Sequence, residues 1–123
     1  MKIIEKTFVF EGTDDLPSCH ASTVLVDTEG RKLVAYFAGT NEGEADVLIY
    51  CSRYENGEWC APYAVTPDAG IQHWNPVLFS DDGKTVTLFY KYGFPIADWH
   101  TRVMTSTDFG RSWTAPASLS REI

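Results

Sequence analysis

Ser106-Thr107-Asp108-Phe109-Gly110-Arg111-Ser112-Trp113 decides how the rest of this 123-residue chain is read. Its fixed positions follow Ser-x-Asp-x-Gly-x-x-Trp, and each suits one task in a tight turn. The Asp carboxylate can accept backbone N–H bonds across the turn, the Gly can take a positive φ, and the Trp can pack down between sheets. Earlier in the chain, Ser52-Arg53-Tyr54-Glu55-Asn56-Gly57-Glu58-Trp59 is a worn copy that lacks the Asp. The repetition extends beyond the turn: Ser52 through Trp59 to Pro62 recurs as Ser106 through Trp113 to Pro116, at an offset of 54. Val24-Leu25-Val26-Asp27-Thr28-Glu29-Gly30 recurs as Val77-Leu78-Phe79-Ser80-Asp81-Asp82-Gly83 at an offset of 53, and one inserted residue reconciles the two.

Around these segments, short runs of Val, Leu, Ile, Phe and Tyr are separated by turn signals at Glu29-Gly30, Asn56-Gly57, Asp82-Gly83 and Phe109-Gly110. No stretch holds a 3.6-residue apolar period long enough for a good helix, so the pattern predicts an all-β chain. Strands are expected near 2–10, 20–26, 32–38, 45–53, 58–65, 75–80, 84–91, 99–106 and 112–118. Each repeat then holds four strands in about 50 residues, the size of one propeller blade rather than of an immunoglobulin-type sandwich.

The full motif at 106–113 resembles the Asp-box, or BNR repeat, of sialidase-like β-propellers. The resemblance continues through Ser18-Cys19-His20-Ala21-Ser22-Thr23, the run from Ala35 to Gly43 with Asp46-Val47, Trp74-Asn75-Pro76-Val77-Leu78-Phe79, Leu88-Phe89-Tyr90-Lys91 and Trp99. These segments look like the N-terminal third of a bacterial and plant family of exo-sialidase-like proteins. That resemblance implies two four-stranded antiparallel blades plus an N-terminal strand, one third of a six-bladed propeller. Its expected parts are an N-terminal strand and lead-in at 1–17, blade 1 at 18–68 and blade 2 at 69–123. Two blades leave open lateral faces, so the chain is expected either to close as a homotrimer or to be a fragment.

Composition narrows the partners. Ten Lys/Arg against seventeen Asp/Glu give a net charge of -7, a sign that repels phosphate backbones and anionic membrane surfaces, so neither nucleic acid nor membrane is expected. No apolar run approaches the ~20 residues of a membrane span, and Met1-Lys2-Ile3-Ile4-Glu5-Lys6 lacks the apolar stretch of a secretory signal, which gives a cytoplasmic expectation. Cys19, Cys51 and Cys60 are odd in number and without metal-ligand spacing, so the expectation is free thiols and no metal or other cofactor.

Alternating strand directions place the approach to each first strand and each second-to-third loop at one end, with the Asp-box turns at the other. The first end collects Ser18–His20, 39–46, 72–75 and 92–99, the segments richest in carboxylate, imidazole and indole. A sugar packs its C–H faces on Trp while its hydroxyls bond carboxylates and amides, and paired carboxyls can protonate a leaving oxygen and activate water. The catalytic candidates are therefore Glu42 or Asp46 as acid/base and His20 as partner or second base. Trp74 and Trp99 are candidate platforms, with Asn75, Lys91 and His73 as polar contacts.

Each has a plainer reading. Glu42 and Glu44 flank Gly43 in a loop that water alone can solvate; His20 can cap a strand end; Trp74 and Trp99 can be inter-blade core; His73 can decorate its loop. Trp59, Trp113 and Asp108 are assigned to structure. A sialic acid carboxylate is normally gripped by clustered arginines, yet Arg31, Arg53 and Arg111 fall near Asp-box-end turns, and only Arg102 leans toward the site. Three function classes follow: a glycoside-cleaving propeller acting on a glycan, a non-catalytic glycan-binding propeller, and a structural oligomer or remnant without activity.

Overall fold

The computed structural model describes residues 2–3, 6–67 and 69–119. The first sheet contains β1 (Ser18–Val26), β2 (Lys32–Gly39), β3 (Leu48–Glu55) and the short β4 (Glu58–Trp59) and β5 (Tyr63–Ala64), the last two both pairing with β3. The second runs β6 (His73–Phe79), β7 (Val86–Tyr92), β8 (His100–Ser106) and β9 (Ala117–Ser118), with a 3-10 turn at Ile96–Asp98 before β8. Every pairing is antiparallel, and each sheet is a blade whose strands follow chain order.

Two expectations about strands need correction. The fourth strand of each blade shrinks to two-residue pieces, because Pro62 and Pro116 have no N–H to give the ladder. The expected strand at 2–10 falls partly outside the described residues, and 6–17 form no strand. That lead-in meets the first sheet through side chains instead: Val9, Phe10 and Leu16 pack on Val34, Tyr36 and Ala38, with Phe10 stacked on Tyr36 at 5.8 Å.

The main core lies between the blades. Leu33, Ala35 and Phe37 of β2 and Ile49 and Cys51 of β3 meet Leu78, Val86, Leu88, Tyr90, Met104 and Phe109. Full burial of such side chains contributes roughly 1.5–3 kcal/mol each. Because β2 also carries Val34, Tyr36 and Ala38 under the lead-in, it is buried on both faces, which explains its nearly unbroken apolar sequence. Inside, the Tyr36 hydroxyl bonds Ser52 Oγ at 2.7 Å, and burial pushes its pKa up to about 12. Cys19, Cys51 and Cys60 are free thiols, exposed, buried and half-buried in turn.

The Asp-box performs the turn chemistry its spacing predicts. Asp108 Oδ1 accepts the N–H groups of Arg111 at 3.1 Å and Ser112 at 2.9 Å, Oδ2 accepts the Ser112 hydroxyl at 2.5 Å, and Gly110 takes a φ of 88°. These bonds, led by the Ser112 hydroxyl, hold the Asp108 carboxyl well below the usual carboxylate range. The box also fastens one blade to the other. The Tyr63 hydroxyl donates to the Gly110 carbonyl, Trp113 Nε1 donates to Tyr63 Oη at 3.2 Å, and Arg111 pairs with Glu55 at 2.6 Å.

Repetition is also visible in the backbone. Each inner strand has a bulge, between His20 and Thr23 in β1 and between Trp74 and Val77 in β6, with left-handed Ala21 (φ 57°) and Asn75 (φ 35°) inside them. The two bulges stand 54 residues apart, so the structural equivalent of Val24 is Leu78 and not the Val77 that the offset of 53 selects.

Candidate functional site

At the end opposite the Asp-box, backbone bonds tie the expected segments together. Gly70 N–H donates to the Ala45 carbonyl at 3.0 Å, joining the β2–β3 loop to the approach to β6, and Gly93 N–H donates to the Gln72 carbonyl at 2.9 Å. Trp74 sits where they meet. Its Nε1–H donates to the Gly93 carbonyl at 2.9 Å, and its ring lies 5.0 Å from Trp99 at 31°. The same ring meets Phe37 edge-on at 6.0 Å, and Phe37 in turn stacks with His20 at 5.3 Å. An aromatic row therefore runs His20, Phe37, Trp74, Trp99 across both blades.

The acidic loop is pressed against this row. A Cβ on Gly43 would lie 3.5 Å from Trp74 Cη2, so the residue between Glu42 and Glu44 touches the indole. Glu42 and Glu44 are exposed. Asp46 is differently placed: it accepts the Thr40 N–H at 3.3 Å and the Thr40 hydroxyl at 3.1 Å, closing the base of the loop. Gly39 makes room for that closure, since a Cβ there would stand 2.8 Å from Asp46 Oδ1.

The remaining candidates divide between surface and support. His20 is exposed, with Nε2 at 2.8 Å from Ser18 Oγ. Asn75 is exposed on the β6 bulge, where the irregular register turns it out of the ladder. Lys91 pairs with Trp74 across β6 and β7 and donates to Thr101 Oγ1 at 2.6 Å. His73, expected as a contact, is fully buried: Nδ1 lies 2.8 Å from the Ile71 carbonyl, and the ring packs on Tyr90 at 5.5 Å and Tyr92 at 5.2 Å. It fixes the inner strand from behind. Arg102 lies over the Tyr92 ring at 3.8 Å, while Arg53 and Arg111 both approach Glu55 at the opposite end.

A BNR repeat-like domain model matches residues 30–123. The chain belongs to the BNR repeat-like family. No curated protein matches the sequence. Among solved structures, the chain is similar to the Hadza microbial sialidase Hz136, with a TM-score of 0.72 and 15% identity, covering 85% of this chain and 26% of that one. The BNR chain thus spans about a quarter of that sialidase, and what the two share is the fold: sialidase-like propeller blades.

Sequence reasoning does not single out Phe37 and Gly43, which the structure adds to the site. Phe37 sits in a run buried on both faces, where no alternation marks its role, and Gly43 contributes by having no side chain. Neither carries a chemical signal of its own.

Proposed function

We propose that the BNR chain recognises a glycan at its loop end, with Trp74 and Trp99 as the platform. The observation that carries this reading is the indole pair at 5.0 Å with the acidic loop folded onto one of its rings. Such a patch offers an apolar face to sugar C–H groups, with the carboxylates of the acidic loop beside it for hydroxyls. Trp74 spends its N–H on Gly93, so its contribution is the ring face.

The favoured ligand is a neutral sugar. Glu42, Glu44, Asp46 and Asp98 lie on the converging loops, Lys91 is bonded to Thr101 and Arg102 is stacked on Tyr92. An anionic sugar would meet like charge there without a clustered guanidinium clamp among the described residues.

Hydrolysis is the second reading, and the position of Glu42 beside the Trp74-contacting Gly43 favours it. Glu42 would serve as acid/base, with His20 as its partner, whereas Asp46 would mainly hold the loop. A panel of glycans and aryl glycosides, assayed for binding and release, tests both. Recognition predicts saturable binding that Trp74→Ala weakens by about tenfold or more. Hydrolysis predicts turnover that Glu42→Gln removes while binding persists. A parent chain that binds nothing on the panel would contradict both.

A further inference from the structure

We propose that the Asp-box end holds an oxyanion site in the seam between the blades, where Arg31, Lys84 and Arg111 take a phosphate or sulfate group. Two clefts meet at this seam. One, of about 610 Å³, is walled by the blade 1 turns around Gly30 and Asn56, and the other, of about 320 Å³, by the blade 2 turns that carry Lys84 and Thr107. Both fall within the roughly 300–1,000 Å³ of ligand clefts, and Arg31 and Arg111 line both. A Cβ at Gly30, Gly57 or Gly83 would meet nothing within 4 Å, so these turns leave the clefts open.

The sign of the ligand follows from which charges are already committed. Asp27 gives Oδ2 to Arg31 Nε at 2.6 Å and Oδ1 to two backbone N–H groups. Asp82 accepts the N–H groups of Lys84 and Thr85, and Asp108 those of Arg111 and Ser112. The Glu55 side chain is 9% exposed, and its Oε2 lies 3.1 Å from Arg53 and 2.6 Å from Arg111. Carboxylates held by their own turns or between two guanidiniums offer little to a cationic ligand. The cations are the groups left over. The exposed Lys84 ammonium makes no hydrogen bond or ion pair with the described residues, and the Arg111 side chain, 57% exposed, bonds them through Nη2 alone. Glu29 is the mobile competitor: it is 77% exposed and 3.5 Å from Arg31 Nη2, so it can turn into water when a stronger acceptor arrives.

Guanidinium forks match the oxygens of phosphate and sulfate, and a lysine adds a point charge. Three cationic side chains with the Thr107 hydroxyl beside them suit a tetrahedral group, which has more oxygens to share than a carboxylate. Arg31 is held in place before a ligand arrives, by Asp27 on its edge and by the Phe109 ring at 4.9 Å from its Cζ. The larger cleft, with Tyr54 and Asn56 in its wall, has room for a carrier of the group such as a sugar. The clustered guanidiniums that the loop end lacks thus stand at the opposite end, and this site needs nothing from the Trp74 platform.

Titration of the full chain with sodium sulfate and with sodium phosphate, at an ionic strength held constant with chloride, tests this. The side-chain Nε–H NMR signals of Arg31 and Arg111, assigned by single Arg→Lys substitutions, report the site. Both should shift saturably, with a Kd of about 1 mM. Arg111→Gln should raise that Kd by about tenfold or more, and Lys84→Gln by about two- to fivefold. Glu29→Gln should act in the other direction, tightening binding by about two- to fivefold, because the carboxylate that competes for Arg31 is gone. Lys84 and Glu29 are exposed, so these two variants should keep the parent's circular dichroism and decide the matter even where Arg111→Gln disturbs Glu55. Glucose 6-sulfate, read at the same signals, names the source. A Kd well below that of inorganic sulfate assigns the site to an ester on a sugar, and one no lower assigns it to the free ion; either result upholds an oxyanion site. Arginine signals that neither anion shifts to saturation, or a Kd that none of the three substitutions changes, would overturn the proposal.

Discussion

Asp27, Asp82 and Asp108, at the Asp-box end, each accept two backbone N–H bonds from their own turns. Glu42 and Glu44, at the loop end, flank a glycine and show no hydrogen bond or ion pair from their carboxylates to the described residues. The tryptophans divide less sharply. Trp113 and Trp74 both pack on the core and both spend their N–H, on Tyr63 and Gly93, but Trp74 also lies 5.0 Å from a second indole, Trp99, among the loop segments. One end uses its polar groups to finish the backbone and fasten the blades. The other leaves carboxylates and indoles beside one another with capacity to spare, which is where recognition can occur.

The largest effect should come from filling the Asp-box glycine. A Cβ on Gly110 would lie 2.7 Å from Leu33 Cδ1 in the core, at a φ of 88°. Gly110→Ala should cost about 3 kcal/mol, combining left-handed strain with overpacking, measured as a fall in the urea midpoint. Gly57, at φ 81° in the worn copy, has open space where a Cβ would stand, with nothing within 4 Å. Gly57→Ala should cost only about 1 kcal/mol, and equal losses at the two sites would break the distinction between a fastened turn and a bare one.

At the loop end, Trp74→Ala should weaken glycan affinity by about tenfold or more, measured where circular dichroism shows the variant folded. Binding that survives this substitution would move the site elsewhere. Next in size is Asp108→Asn, which should destabilise by about 1 kcal/mol at neutral pH through weaker acceptance of the turn N–H groups.

The pH dependence sharpens that prediction. Hydrogen bonds depress the Asp108 pKa in the folded state, so its stabilisation is fully present above the unfolded-state carboxylate pKa and is lost as pH falls toward the lower folded value. In that acid window the unfolded chain binds the extra proton. Thermal melts of the parent should therefore decline more steeply below about pH 4 than those of Asp108→Asn, and parallel declines would contradict the role given to this carboxylate. Glu42→Gln should have the smallest effect on stability, within about 0.5 kcal/mol, because its surroundings are solvent.

The Asp-box was legible because its geometry needs particular residue types at particular spacings, and Asp108, Gly110 and Trp113 each perform the task their chemistry suggests. The repeat offset was harder to read. At 53, Leu25 aligns with Leu78, and both do enter the inter-blade core, but from facing sheets. Period-two alternation reveals which residues are buried without revealing which side of the blade buries them. The bulges supply the missing frame, and sequence carries little mark of them because Ala21 and Asn75 take left-handed backbone without being glycine. The convergence of His20, Trp74, Trp99 and the 39–46 loop on one end followed from strand alternation. The burial of His73 did not, since it depends on Tyr90 and Tyr92 arriving from the neighbouring strand.

The four tryptophans offer a direct test of the division between the two ends. An NMR titration with the tightest-binding glycan of the panel would follow the indole Nε1–H signals of Trp59, Trp74, Trp99 and Trp113, assigned by single Trp→Phe substitutions. Saturable shifts are expected at Trp74 and Trp99, with Trp59 and Trp113 unmoved. Shifts confined to Trp59 or Trp113, or unmoved signals at Trp74 and Trp99 under saturating glycan, would contradict a recognition site at the loop end.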